Sequence, residues 1–126
     1  MPNYGTLPLT GAGSGVPATV LSPGDQEYLF QNESPTAPQL SIAISRSSGS
    51  TGVPSGIVFA VKCPSGTVLI LGANVDTPAE WALAAGNPLH TSTNAAYDYY
   101  EDIGNFAFYC CQLSAGTGPV TVIAQR

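Results

Sequence analysis

Short apolar runs, separated by proline and glycine, recur along most of the chain. The run at 19–21 ends at a Ser-Pro-Gly-Asp segment at 22–25, where proline followed by glycine suits a type II turn. A strand is expected next, at 28–30. From 40 to 44 apolar residues alternate with smaller ones, which is the pattern of a half-buried strand. Strands at this spacing are typical of β-sandwiches and β-barrels.

A tight hairpin is predicted in the middle of the chain. Residues 57–62 and 67–71 are both strand-like, and the Cys-Pro-Ser-Gly segment at 63–66 supplies a proline and a terminal glycine between them. The two runs are therefore expected to pair with each other. Just before them, residues 47–56 are rich in Ser, Gly and Pro, which predicts an exposed loop long enough to reach a partner.

One segment carries the signals of a helix. Thr77 stands at an N-cap position, a proline follows it, and Glu80 completes a capping box, while Gly86 comes where a helix would stop. These signals predict one short helix near 78–85. Because large and small residues alternate within the segment and its neighbours are strand-like, an edge strand is the alternative.

The last third of the chain has the strongest strand character. From 106 to 113 both alternating sets of positions are apolar, so this strand is expected to have two apolar faces. A final strand is predicted at 120–124. The whole pattern predicts an all-β fold, an antiparallel β-sandwich of the jelly-roll or immunoglobulin-like kind.

The first seventeen residues differ from the rest. They contain three prolines, four glycines and no charge, a composition that disfavours both helix and central strand. We therefore divide the chain into an extended N-terminal arm, 1–17, and a single β-sandwich domain, 18–126. The apolar side chains Tyr4, Leu7 and Leu9 suggest that the arm lies along a neighbouring surface, the alternative being a disordered terminus.

Charge and length exclude several classes of function. The chain has 126 residues, three basic and eight acidic side chains and a net charge of -5, so it offers no basic stripe for nucleic acid. It contains no apolar run of about 20 residues that could span a membrane, and its first residues do not resemble a signal peptide.

Catalytic and metal-binding patterns are weak. His90 is the single histidine, and no serine sits in a nucleophile-elbow pattern, so a hydrolytic triad is not expected. The glycines at 11, 13 and 15 do not link a strand to a helix as a phosphate-binding loop would. We expect no enzyme activity and no cofactor.

The cysteines are odd in number. Cys110 and Cys111 are neighbours and Cys63 is distant, which favours reduced, buried thiols over a disulfide framework or a zinc site. A bridge from Cys63 to either of the other two stays open at this point.

An acidic cluster interleaved with tyrosines precedes the last strands. It consists of Asp98, Glu101 and Asp102, with Tyr97, Tyr99 and Tyr100 among them. The simplest interpretation is a solvated turn before the final hairpin. Calcium is disfavoured because the usual glycine-pivoted loop is absent. The tyrosines could instead stack on a sugar or lie in a protein interface, where tyrosine is enriched.

The scarcity of charge suggests a protein that other subunits cover. Only 9% of the residues are charged, against about 25% in a typical soluble domain, while 44% are apolar. Charged residues are depleted at the core of protein interfaces and aromatic residues are enriched there. The composition therefore favours a subunit of an assembly.

Three stretches carry a family resemblance: the uncharged segment 1–17, the Ile-Gly-Asn-Phe-Ala-Phe run at 103–108 and the closing run at 120–126. With them the chain resembles the small β-sandwich proteins of tailed-phage virions, especially capsid decoration or cement proteins. The resemblance implies a protein, often a trimer, that binds the major capsid protein at symmetry axes and stabilises the lattice. It implies a location on the capsid exterior after synthesis in the host cytoplasm, and no catalytic residues.

The candidate interaction surface follows from the arm and the tyrosine cluster. It comprises Tyr4, Leu7, Leu9, Tyr97, Tyr99 and Tyr100. The alternative functions are a tail or neck subunit of the same virion and a carbohydrate-binding or adhesin module.

Overall fold

A computed structural model describes residues 11–34, 38–46, 56–102, 106–114 and 118–126. Within these residues the chain is mostly β, with one short helix, as the sequence predicted. The elements are β1 (Thr19–Leu21), β2 (Gln26–Glu33), β3 (Gln39–Leu40), β4 (Ile44–Arg46), β5 (Ile57–Ala73), α1 (Pro78–Gly86), β6 (His90–Asp102), β7 (Phe108–Leu113) and β8 (Val120–Gln125).

The eight strands form one hydrogen-bonded sheet that nearly closes on itself. Its main path runs β1-β4-β7-β5-β8-β2, with β3 paired to β7 and β6 paired to β5. All pairs are antiparallel except β1 with β4. A division into two packed sheets, as in a β-sandwich, is not confirmed.

The hairpin predicted around 63–66 is wrong. Strand β5 runs through this segment for 17 residues, and its two halves do not pair with each other. The first half pairs with β8, the second half pairs with β7, and β6 lies along the other side of both. The proline and glycine mark a change of direction, but the chain turns together with its neighbour β6 instead of folding back on itself.

A corner in both strands explains this change of direction. Between Cys63 and Thr67 the register against β6 shifts, and Gly66 has a φ of 120°. Its backbone N–H donates to the side-chain oxygen of Asn94, which has a φ of 48°, at 2.9 Å. Extra residues on one strand and positive φ angles produce a bulge, which bends a strand pair sharply.

The main core lies on the inner face of the bent sheet. Alternate residues of both halves of β5 point into it, from Phe59 and Val61 to Val68 and Ile70, all fully buried. The two apolar faces predicted for this strand are both buried in β7: Tyr109 lies in the main core, and Cys110 lies in a second cluster on the other side.

Helix α1 covers this second cluster. Thr77 caps the helix by accepting a hydrogen bond from the backbone N–H of Glu80 at 3.3 Å, which confirms the predicted capping signal. Trp81 points inward and packs with Leu71 and Cys110. Among the described parts of the chain, no helix is long and apolar enough to cross a membrane.

Part of the predicted arm packs against this same region. Ala12 is buried in the second cluster, and its N–H donates to the carbonyl oxygen of Ser41 at 2.7 Å. The N–H of Gly13 donates to Asp76 at 2.7 Å. Because Gly13 has a φ of 77° and a Cβ there would lie 3.0 Å from the backbone of Pro78, glycine is required at this contact.

The continuous strand expected from 40 to 44 is interrupted. Leu40 belongs to the second cluster, whereas Ile44 belongs to the main core, so the alternating apolar residues do not line one face. The break occurs because the hydroxyl of Ser41 accepts a hydrogen bond from the N–H of Cys111 at 2.9 Å, while the N–H of Ser41 donates to the carbonyl oxygen of Cys111.

Candidate interaction surface

Strand β6 distributes the three predicted tyrosines over two faces. Successive side chains of a strand point to opposite sides. Tyr97 and Tyr99 point outward and are 57% and 60% exposed. Tyr100 points inward, where its ring stacks on the ring of His90 at 5.0 Å. The three tyrosines therefore do not share one surface.

The acidic cluster lies in a strand and not in the turn expected from the sequence. Residues 98–102 pair with β5 from Ile57 to Val61, which fixes them in extended conformation. The alternation places Asp98 and Asp102 on the inner side and Glu101 on the outside. The turn prediction failed because acidic residues are uncommon in strands, and the pairing with β5 that holds them there is distant in sequence.

Outward-facing residues of four strands form a row across the sheet. Residues that are directly opposite each other on paired strands share a face. Tyr99 lies opposite Ala60, Ala60 opposite Ile123, and Ile123 opposite Tyr28. We call these four residues the tyrosine row. Tyr28 is 47% exposed, so an exposed aromatic ring stands at each end of the row.

One charge of each sign flanks the tyrosine row. Lys62 lies two residues after Ala60 on β5, and Glu101 is paired with Val58, two residues before Ala60. Both side chains are exposed. We refer to the tyrosine row together with Tyr97, Lys62, Val58 and Glu101 as the outer face.

The aromatic residues at one end of the outer face are in mutual contact. The rings of Tyr97 and Tyr99 are 4.9 Å apart, and the ammonium nitrogen of Lys62 lies 5.9 Å from the centre of the Tyr97 ring. The hydrogen bond with Tyr97 raises the pKa of Tyr99. Because the ordinary pKa of tyrosine is about 10, the Tyr99 hydroxyl is neutral near pH 7 and adds no negative charge to the face.

A polar cluster occupies the inner side of the corner. The imidazole of His90 donates from Nε2 to one carboxylate oxygen of Asp98 at 2.7 Å, and the hydroxyl of Ser92 donates to the same oxygen at 2.6 Å. In a straight strand, His90 and Tyr100 would be about 33 Å apart. Their stacking shows how sharply β6 bends, and Asp98 ties the two arms of the bend together.

This cluster is not arranged as a nucleophilic triad. Such a triad needs a hydrogen bond between the nucleophile and its base. Here the Ser92 hydroxyl donates to the carboxylate of Asp98, and His90 binds the same carboxylate oxygen. The hydroxyl proton of Ser92 is thus held by Asp98, and the contacts serve the corner of the strand.

The hydrogen bonds at Asp98 make the stability of the folded protein depend on pH. Hydrogen bonds from Ser92 and then from His90 lower the pKa of Asp98. Because the pKa is lower in the folded protein, the stabilisation is present above the unfolded pKa of about 3.9 and is lost as the pH falls below it. We expect Asp98→Asn to lower the melting temperature near neutral pH, and the gap to the wild type to narrow below about pH 4. Thermal unfolding followed by circular dichroism across this range measures the gap, and a gap that stays constant would contradict the role of Asp98.

A second inner cluster surrounds Asp102, which is buried. Its carboxylate accepts hydrogen bonds from the hydroxyls of Tyr100, at 3.0 Å, and Tyr109. Burial, followed by this bond to Asp102, raises the pKa of Tyr100. The Tyr109 hydroxyl also accepts the backbone N–H of Phe106 at 3.2 Å. These bonds link the end of β6 to β7.

The three cysteines are free and buried, as the sequence analysis favoured. Burial raises the pKa of both Cys110 and Cys111 well above the ordinary value of a thiol. The thiol of Cys63 donates to the carbonyl oxygen of Ser92 at 3.6 Å. The cysteines act as core residues, and no disulfide joins them.

A cleft of about 260 Å³ lies between α1 and the end of β5. One wall is a single face of the helix, formed by Glu80, Leu83 and Ala84. Phe106 lies directly against Gly72, where a Cβ would be 2.6 Å from its ring. Within the described residues, no group of three or more His, Cys, Asp or Glu could hold a metal ion.

Several predicted contact residues cannot be placed. Tyr4, Leu7 and Leu9 lie outside the described residues, as does the loop predicted at 47–56 except for Gly56. Conversely, the sequence analysis missed Tyr28, Ala60, Ile123 and Lys62. The alternation within each strand indicated which residues share a side, but the register that aligns the strands is not visible in the sequence.

The comparisons with known proteins add no relative. No protein-family model matches the chain, and no curated protein or solved structure gives a significant match.

Proposed function

We propose that this chain is a structural subunit of a tailed-phage particle, a capsid decoration protein that binds the major capsid lattice and works without catalysis. The observation that carries the proposal is the outer face, an exposed part of the sheet that presents aromatic and apolar side chains with few charges. A monomeric protein that stays dispersed usually covers such a surface with mixed charges.

The chemistry of the outer face suits contact with protein. Tyrosine contributes a large, rigid contact area at low entropic cost and is enriched in interfaces, where charge is depleted. Tyr28, Tyr97 and Tyr99 provide such rings on one side of the sheet. Ala60 and Ile123 between the ring positions keep the middle of the row apolar.

The rigidity of the body supports a mechanical role. The corner of β5 and β6 is held by charge-assisted hydrogen bonds at Asp98, and a second carboxylate, Asp102, joins the end of β6 to β7. Core residues fill the space beneath the bent sheet. Apolar burial contributes about 25 cal/mol per Å² before the costs of ordering. Modest contacts, repeated over many copies, are then enough to stabilise a shell.

The N-terminal residues supply a separate contact in this proposal. Ala12 and Gly13 fasten the chain beside α1, so residues 1–10 start from a fixed point on the body. Tyr4, Leu7 and Leu9 within them would bind neighbouring capsid subunits.

Deletion of residues 1–10 tests this proposal. We expect the shortened protein to keep its fold, because the anchor at Ala12 and Gly13 remains, and to lose most of its binding to capsid shells of the phage that encodes it. Co-sedimentation of purified protein with purified shells measures the binding, and circular dichroism checks the fold. The matched control is the full-length chain with Leu83→Ser, which alters an exposed side chain of α1.

The outcomes separate the alternatives. Saturable binding of the full chain to shells, lost on deletion, supports the proposal. Failure of the full chain to bind any shell overturns it. The exposed rings of Tyr97 and Tyr99 on one face also favour a glycan-binding module. Glycan-array binding that is lost with Tyr99→Ala, in the absence of shell binding, would establish that second function instead.

A further inference from the structure

We propose that the outer face is the contact between two copies of this chain, which pack face to face around a twofold axis parallel to the tyrosine row. This inference rests on the proposed function in one respect, that the chain acts as a subunit covered by protein. It adds the identity of the partner.

The arrangement of the outer face is self-complementary. A twofold axis along the tyrosine row places the row of one copy over the row of the other and reverses the direction of the strands. Residues on one side of the row in one copy then face residues on the other side of the row in the second copy. Contacts of this kind occur twice, because each residue exchanges roles with its counterpart.

The charges fit this arrangement. Lys62 lies on one side of the tyrosine row and Glu101 on the other, about two residues along the strands in each direction. Reversal brings Lys62 of one copy beside Glu101 of the second copy, and symmetry forms the same pair again. Face-to-face packing with parallel strands would keep the Lys62 side chains of both copies on one side of the row and the Glu101 side chains on the other, so it would form neither pair.

Pairing through the free edge of β6 is the competing way to join two copies. Among the described strands, β6 pairs only with β5. An antiparallel pairing of two β6 strands centred on Tyr100 would place acidic residues opposite acidic residues, with Asp98 of one copy opposite Asp102 of the other. Like charges directly opposite each other are destabilising, and charged edges prevent such association. The face is therefore the favoured contact.

The contact is small. Four strands about 4.8 Å apart and three rows of outward side chains cover roughly 400 Å² per copy. A stable complex usually buries about 800 Å² per partner. We therefore expect association that is weak in solution and that becomes effective where copies are held close together, as on a shell.

Crosslinking provides a direct test, because Lys62 is the single lysine of the chain. A carbodiimide joins an amine to a carboxylate without a spacer. We expect a mixture of ¹⁵N-labelled and unlabelled full-length protein to give a Lys62–Glu101 crosslink between a labelled and an unlabelled copy. Lys62→Arg should abolish this crosslink while leaving association intact, because it keeps the charge and removes the amine.

Charge reversal provides the second test, by sedimentation equilibrium over a range of concentrations. Lys62→Glu or Glu101→Lys alone should weaken association roughly tenfold, and the double variant should restore it. Glu80→Lys, which changes the net charge by the same amount as Glu101→Lys but lies on α1, should leave it unchanged.

The outcomes are decisive in both directions. Intermolecular crosslinks from Lys62 to Glu101, together with rescue by the double variant, support the inference. The inference is overturned if that crosslink is absent at high protein concentration. It is also overturned if neither charge-reversal variant changes the strength of association. Binding to shells is measured separately, so a chain that binds shells without self-contact would keep the proposed function and lose this inference.

Discussion

Trp81→Ala is expected to lower the free energy of unfolding by about 3–5 kcal/mol. Trp81 is 1% exposed and is the largest side chain in the cluster beneath α1. Its removal leaves a cavity and also deletes the 2.7 Å hydrogen bond from the indole N–H to Asp76. Urea denaturation followed by circular dichroism gives the change in free energy.

Leu83→Ala is the matched control, because Leu83 lies on the same helix but is 70% exposed. Its effect should stay within about 0.5 kcal/mol. Equal losses for the two variants would mean that α1 does not pack on the sheet through Trp81, and the account of the second cluster would fail.

Tyr109→Phe is expected to cost about 1.5–3 kcal/mol of stability, although it removes a single oxygen. The Tyr109 hydroxyl is fully buried and donates to the carboxylate of Asp102. Without it, a buried charge loses a donor and the N–H of Phe106 loses its acceptor. Chemical denaturation measures the loss.

Tyr28→Phe makes the same chemical change at an exposed ring of the outer face and should be nearly neutral. A neutral Tyr109→Phe variant would show that Asp102 does not depend on this hydroxyl. The link between the end of β6 and β7 would then have to lie elsewhere.

The sequence predicted the features that depend on near neighbours. The cap at Thr77, the two-faced strand β7 and the final strand β8 each follow from a few adjacent residues, and the structure confirms them. The buried, free state of the cysteines likewise followed from their spacing.

Features that depend on distant partners were not predicted. The Cys-Pro-Ser-Gly segment is a valid turn signal, but the presence of β6 alongside turns it into a corner of two strands instead of a hairpin. For the same reason the sequence grouped Tyr100 with Tyr97 and Tyr99. Only the register between strands shows that Tyr100 faces the interior and that Tyr28 completes the outer face.

The unbroken course of β5 determines how force would pass through the molecule. Its first half carries the middle of the outer face, and its second half lies beneath α1, where Ala12 and Gly13 fasten the N-terminal residues. Between the two halves of β5 a pull is transmitted along one covalent backbone, and it reaches the N-terminal residues through the packing of Ala12 and the hydrogen bond from Gly13 to Asp76.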